Sequence, residues 1–232
     1  MIGPWLPPSD LAALWLSFKL ALITAASLLL LATPLAWWLA HGRSRLRAIV
    51  EAVTALPLVL PPTVLGFYLL LFLGPYGWGG QVMLRLGRHP LSFTFGGLLV
   101  GSMLYSMPFV VQSLQNAFQA IGTRTLEVAA MLRAGPVDRF VSVALPLARR
   151  GFLSGGVLAF AHTLGEFGVV LMLGGNIPGR TQTAAIAIYS HVEVLDYAAA
   201  QRLSLTLLLI CFTLLLIVYA TQRRVRHDWV TP

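Results

Sequence analysis

Long apolar runs separated by short charged stretches dominate the chain. Leu20 to Ala40 carries no charged residue, and neither does Ala52 to Leu73. Further apolar runs cover Leu91–Phe118, Gly151 to about Gly175, and Leu203–Thr221. Only His162 and Glu166 interrupt the fourth. A helix needs about 20 apolar residues to cross a bilayer. Backbone N–H and C=O groups cannot stay unpaired in lipid, so the pattern predicts five transmembrane helices. The alternation of a membrane β-barrel is absent. Lys19 borders the first run and is expected to snorkel from its end. Arg180, His191, Glu193 and Asp196 break up the Ile177–Gln201 segment, so no sixth crossing is expected there. The Gly74–Pro90 stretch holds Gly-Pro-Tyr-Gly-Trp-Gly-Gly, which predicts a loop. The whole of 1–232 reads as a single membrane domain, with no tandem repeat or linker.

Composition agrees with that pattern. The chain is 57% hydrophobic and 10% charged, against about 25% charged for a soluble domain. This also excludes a disordered chain, which needs low hydrophobicity and high net charge. One cysteine, Cys211, excludes an internal disulfide framework. The one lysine has no glycine loop before it, so no phosphate-binding P-loop is present. His41, His89, His191 and His227 scatter across expected loops, and no spaced metal set or nucleophile set supports an enzyme. The amino terminus lacks a basic n-region and leads into a run too long for a cleaved signal, so no processing is expected.

The net charge of +8 changes the picture through its placement. Arg43, Arg45 and Arg47 follow the first run, and Arg124, Arg133, Arg139, Arg149 and Arg150 lie between the third and fourth. Arg223, Arg224 and Arg226 follow the fifth. Lys19, Arg85, Arg88, Arg180 and Arg202 fall on the opposite side. The positive-inside rule then places the amino terminus outside and the carboxyl terminus in the cytoplasm. No basic stripe with interleaved aromatics points to nucleic acid.

Three segments carry candidate function. In the second run, Pro57, Pro61 and Pro62 each remove a helix hydrogen bond, so the helix must kink or open. Freed carbonyls need a partner or a wet cavity. Either a gate or an ordinary bundle kink satisfies this. In the fourth run, Glu166 is a carboxylate inside a span, which marks a functional site by default. His162 precedes it by four residues, on one helix face. The two could share a proton in a proton-coupled carrier, or Glu166 could be a structural contact. The third segment, Thr123–Arg150, is basic and lies on the cytoplasmic side. Thr125 is expected to cap a short helix starting near Glu127, and Gly135-Pro136 to end it. Ala129 and Ala130 keep one face small. Leu145-Pro146 turns the chain back towards the membrane. The short helix suits either a docking peg or an interfacial amphipathic helix.

The third segment resembles the cytoplasmic E-A-A-x3-G-x9-I-x-L-P motif of ABC importer membrane subunits. Glu127 takes the Glu place, Ala129 the second Ala, Val143 the Ile, and Leu145-Pro146 the end. Val128 replaces the first Ala. Arg133 stands at the Gly place with Gly135 two residues on, so the helix is expected to break later than in the family. Leu56–Leu70 and His162–Thr183 are similar to molybdate-type permeases, with sulfate-type permeases as close relatives.

The resemblance implies an all-α type I ABC importer permease with about five transmembrane helices and a cytoplasmic coupling helix, in a bacterial inner membrane. It implies a homodimer, two cytoplasmic ATPase subunits that bind the ATP, and an external molybdate-binding protein. Membrane lipid surrounds such a chain, and no cofactor is implied within it. Glu127, Ala129, Ala130, Arg133, Gly135, Val143, Leu145 and Pro146 would couple to the ATPases. Pro61, Pro62, Thr63, Gly66, Ser102, Ser106, Thr163 and Glu166 would line or gate the pathway. No Lys or Arg lies deep in a span, which suits a dianion that must also leave. Sulfate and tungstate are alternative cargoes, and a proton-coupled carrier using His162 and Glu166 is the alternative mechanism.

Overall fold

A computed structural model describes residues 5–42 and 44–227, with side chains described as far as Leu216. Arg43 lies outside the described residues, as do the side chains of Arg223, Arg224 and Arg226. The elements are helices α1 (Pro8–His41), α2 (Leu46–Ala55), α3 (Pro62–Leu73), α4 (Trp78–Arg85) and α5 (Phe95–Met131). The single turns α6 (Pro136–Asp138) and α7 (Leu145–Leu147) flank a π-helical turn at Arg139–Ala144. Helices α8 (Arg149–Leu164), α9 (Gly168–Gly174), α10 (Ala184–Glu193) and α11 (Tyr197–His227) complete the chain. Among the described residues, α1, α5 and Tyr197–Leu216 of α11 are long and apolar enough to cross a membrane. The count rises to five if each of two bent helix pairs is one span.

The first pair is α2 with α3–α4. Leu46–Leu58 and Pro62–Arg85 meet at 109°. Pro57 sits in a 3-10 turn, and Pro61 is extended at ψ 135. Pro62 then opens α3, where a missing N–H costs nothing. The prolines therefore break the run rather than kink it. The second pair, Pro136–Leu147 and Arg149–Leu164, bends by 67°.

Several expected boundaries move. Helix α1 begins at Pro8, well before Leu20, because no breaker separates Pro8 from Lys19. Lys19 therefore lies inside the helix, its Nζ 5.1 Å from the centre of the Phe95 ring. The expected Gly74–Pro90 loop contains α4. Thr125 does not cap a new helix. Its hydroxyl donates to the Ile121 carbonyl at 3.0 Å, within the last part of α5. The break lies instead at Gly122, whose φ of 73 and ψ of 158 few residues other than glycine adopt.

Helices α1, α5 and α8 form the core, with Leu28, Leu39, Val110, Leu114 and Phe118 buried between them. Within a bilayer such packing stabilises through dispersion rather than through exclusion of water. An aromatic cluster closes one end of the core. The Trp37 ring of α1 stands edge-on to Phe118 of α5 and to Phe140 of the π-helical turn, at 5.1 Å each. Phe152 of α8 meets Phe118 at 6.1 Å. The segment after α5 is thereby fixed to three helices.

At the opposite end, α10 docks on α1. Asp10 is 2% exposed and accepts from His191 Nε2, at 3.0 and 3.2 Å from its two oxygens. The Ala184 amide donates to Ser17 Oγ at 2.8 Å. Trp5 Nε1 donates to Thr206 Oγ1 at 3.1 Å, tying the start of the chain to α11.

Phe118→Ala should leave a cavity at the centre of the aromatic cluster and destabilise the fold by about 3–5 kcal/mol. Thermal unfolding of the purified protein, together with faster trypsin cleavage at Arg139, measures this.

Candidate functional site

The two backbone breaks face each other. The opening residues of α3 and the Gly165–Phe167 break between α8 and α9 enclose a cavity of about 550 Å³. Pro62 and Thr63 line one wall, Tyr105 of α5 another, and Ala161, His162 and Gly165–Gly168 the rest. Irregular backbone at membrane depth is tolerated where protein or a cavity surrounds it, and both breaks meet that condition. Helices α3 and α9 pack closely enough that a Cβ on Gly66 would meet Met172 Cβ at 2.8 Å. One on Gly168 would meet Pro62 Cβ at 2.7 Å.

Glu166 is 4% exposed and lines this cavity. Among the described residues neither of its oxygens has a hydrogen-bond partner, and the same holds for buried Ser102 Oγ. The i, i+4 pairing expected between His162 and Glu166 does not form. Helix α8 ends at Leu164, so the two residues no longer share a helix face. Ser106 Oγ lies 2.9 Å from both His162 Nδ1 and Thr163 Oγ1. The His162 ring lies between Tyr105 at 4.6 Å and Phe109 at 4.5 Å, tilted against both.

The expected pathway residues therefore fall in three places. Pro62, Thr63 and Glu166 line the cavity. Ser102, Ser106 and Thr163 lie buried in the helix packing behind its wall. Gly66 lies in the α3–α9 contact, and Pro61 forms the break itself. Tyr105 lines the cavity with no signal in the sequence beyond its place one residue before Ser106. His162 was legible only as a neighbour of Glu166.

A second candidate region lies at the aromatic end. After Gly122 the chain runs as a short helix to Met131 and then stops at Arg133, whose φ is 64. The Arg133 amide donates to the Ala130 carbonyl at 3.0 Å and the Ala134 amide to Ala129 at 3.1 Å, a left-handed helix terminus. This corrects the later break expected at Gly135-Pro136. Gly135 is extended, with φ −67, and Arg133 itself takes the conformation usually given to glycine. Ala129 is buried, whereas Glu127 and Ala130 are exposed. Val128, Met131, Leu132, Val137 and Val141 all expose more than half their surface, a contiguous stretch of sequence with apolar side chains facing out. Val143 and Leu145 are half-buried, Pro146 is exposed, and Ala144 packs into the core.

A bundle with two broken spans and a short protruding helix at one end is the architecture of a type I ABC importer permease. Similar folds occur in a bacterial ABC transporter that imports alginate, with a TM-score of 0.78 and 15% identity over 94% of this chain and 80% of that one. The methionine ABC transporter MetNI gives a TM-score of 0.69 at 18% identity, covering 93% of this chain and 94% of that one. Residues 32–227 match the family of binding-protein-dependent transport system inner membrane components, and the chain belongs to that family. The molybdenum transport system permease protein ModB of Azotobacter vinelandii is 57% identical, over 92% of this chain and 95% of its own. The ModB of Mycobacterium tuberculosis is 38% identical over 88% and 76%. The putative molybdenum transport system permease YvgM of Bacillus subtilis is 32% identical over 88% and 89%. The chain is thus a transport permease and not an ATP-hydrolysing subunit.

A left-handed backbone costs a residue with a Cβ about 1 kcal/mol relative to glycine. Arg133→Gly should therefore hold or raise the melting temperature, and β-branched Arg133→Val should lower it by a few degrees. Differential scanning of the purified protein checks the order.

Proposed function

We propose that this permease moves molybdate across a bacterial inner membrane, as one of two identical subunits coupled to two cytoplasmic ATPases and an external molybdate-binding protein. The observation that carries the cargo assignment is the 57% identity to a molybdenum transport permease over nearly the full length of both chains. Residues 1–232 form one permease domain in this reading. The Arg-rich end containing Gly122–Leu147 faces the cytoplasm, following the positive-inside rule.

The exposed helix from Thr123 to Met131 enters a cleft of the ATPase. Glu127 and Ala130 meet the partner, Arg133 and Gly135 shape the end of the peg, and apolar Met131 and Leu132 supply the contact area. Val143, Leu145 and Pro146 anchor its return, with buried Ala129 beneath. Closure of the ATPases on ATP pulls this peg. The aromatic cluster of Trp37, Phe118, Phe140 and Phe152 passes the pull to α1, α5 and α8. The motion is a rigid-body switch between two states.

The cavity between the two breaks is the gate. Pro61, Pro62 and Thr63 form one lip, and Gly165–Gly168 with Glu166 the other. Gly66, Ser102, Ser106 and Thr163 set how the lips pack. The absence of Lys and Arg in this region of the sequence favours release of a tetrahedral dianion, since a fixed cation would hold it. Selectivity then rests chiefly with the external binding protein. An ionised Glu166 on the pathway would repel the cargo, so its role is in gating or structure.

In vesicles containing the complete complex, labelled molybdate uptake should require ATP and the binding protein, with tungstate and sulfate as competitors. Glu127→Arg should lower uptake by at least about tenfold, as loss of an interface anchor does. Glu166→Gln should transport near the wild-type rate. Uptake that proceeds without an ATPase, or collapses with the proton gradient, would defeat this reading.

A further inference from the structure

Among the described residues, the buried side chains of α11 are Ala199, Ala200 and Leu203, near its start. There Leu203 packs with Ala13 and Ala187. Farther along, α11 stands away from α1 and leaves a groove of about 780 Å³ between α1, α8 and α11. Leu22, Ala26, Leu29, Leu153, Gly156 and Leu215 lie along it, and no charged side chain lines it. From Phe152 to Leu164 the groove follows α8 for about 18 Å at 1.5 Å per residue. That is close to one leaflet of a hydrocarbon core about 30 Å thick.

The groove is open along one side, so a chain can enter it from the bilayer, and its length suits a single acyl chain. Charge identifies the class of lipid. Arg149 and Arg150 open α8 at the Phe152 end of the groove, and both are exposed. Arg149 precedes Phe152 and Leu153 by three and four residues, so it stands on the same helix face. Among the described residues neither arginine has an ion-pair partner.

We propose that this groove is a binding site for an anionic phospholipid, with one acyl chain between α1, α8 and α11 and the phosphate at Arg149 and Arg150. The site rests on the orientation given above, which makes the lipid one of the cytoplasmic leaflet. It fills the gap beneath α11 and fastens that helix to the core.

The test uses the complete complex, taken from vesicles of phosphatidylglycerol and phosphatidylethanolamine into mild detergent and read by native mass spectrometry. Phosphatidylglycerol should remain bound to each copy of this chain, in preference to phosphatidylethanolamine. Ala26→Phe fills the groove from an exposed position and should reduce retained lipid to background. Arg149→Gln with Arg150→Gln should leave a lipid bound but remove the preference, by about fivefold per arginine. Cys211 also lines the groove and is the chain's one cysteine. Equal retention by Ala26→Phe and wild type would overturn the proposal. So would equal retention of both lipids by the wild type, or a Cys211 crosslink to a second copy across the groove. ATP-driven uptake measured on the same preparations reads the transport assignment separately, because lipid retention needs no turnover.

Discussion

A backbone without its helical hydrogen bonds cannot face lipid, and the arrangement of this bundle follows from that constraint. The chain breaks a span at Val59–Pro61 and again at Gly165–Phe167. Each break alone would expose unpaired carbonyls and amides at membrane depth. Set against each other, with Gly66 and Gly168 allowing α3 and α9 to approach, they enclose a shared cavity instead. The rest of the bundle holds that juxtaposition. The long helices α1 and α5, the latter continuous as far as Ile121, supply the frame, and α8 carries one break against it.

The same frame has a second task at its other end. The segment Arg139–Ala144 is a π-helical turn, a geometry that is rare and mostly confined to single turns. Its place is set by packing, through Phe140 against Trp37 and Phe118. Helix α8 begins one short turn beyond, after a bend of 67°, and ends at the second break. In the proposed mechanism, a displacement of the protruding helix reaches the cavity along α8. The non-helical backbone at Gly122 separates the protruding end of α5 from the part packed in the bundle.

The sequence disclosed the helical class, the apolar runs and the position of the first break, because clustered prolines are strong local signals. It misplaced what local signals do not encode. The start of α1 lay hidden because charge at Lys19 was taken as a boundary, whereas the helix continues until Pro8. The end of the protruding helix was placed at a glycine that turns out to be extended. Arg133 adopts the left-handed conformation because the terminal hydrogen bonds at Ala129 and Ala130 hold it there. The pairing of His162 with Glu166 assumed an unbroken helix, and the break between them removes the shared face. Tyr105 became visible only when α5 was packed against the cavity. The motif around Glu127 marked the protruding helix, but not that Ala129 turns inward while Met131 and Leu132 turn out.

The bond between Asp10 and His191 spans 181 positions of sequence. A ribosome adds about 5–20 residues per second, so Asp10 waits about 10–40 s for its partner to be made. During that interval the nascent first helix carries an acidic group that the finished protein buries almost completely. The tie from Trp5 to Thr206 is later still. Closure of this end of the bundle therefore waits until Thr206 has been made.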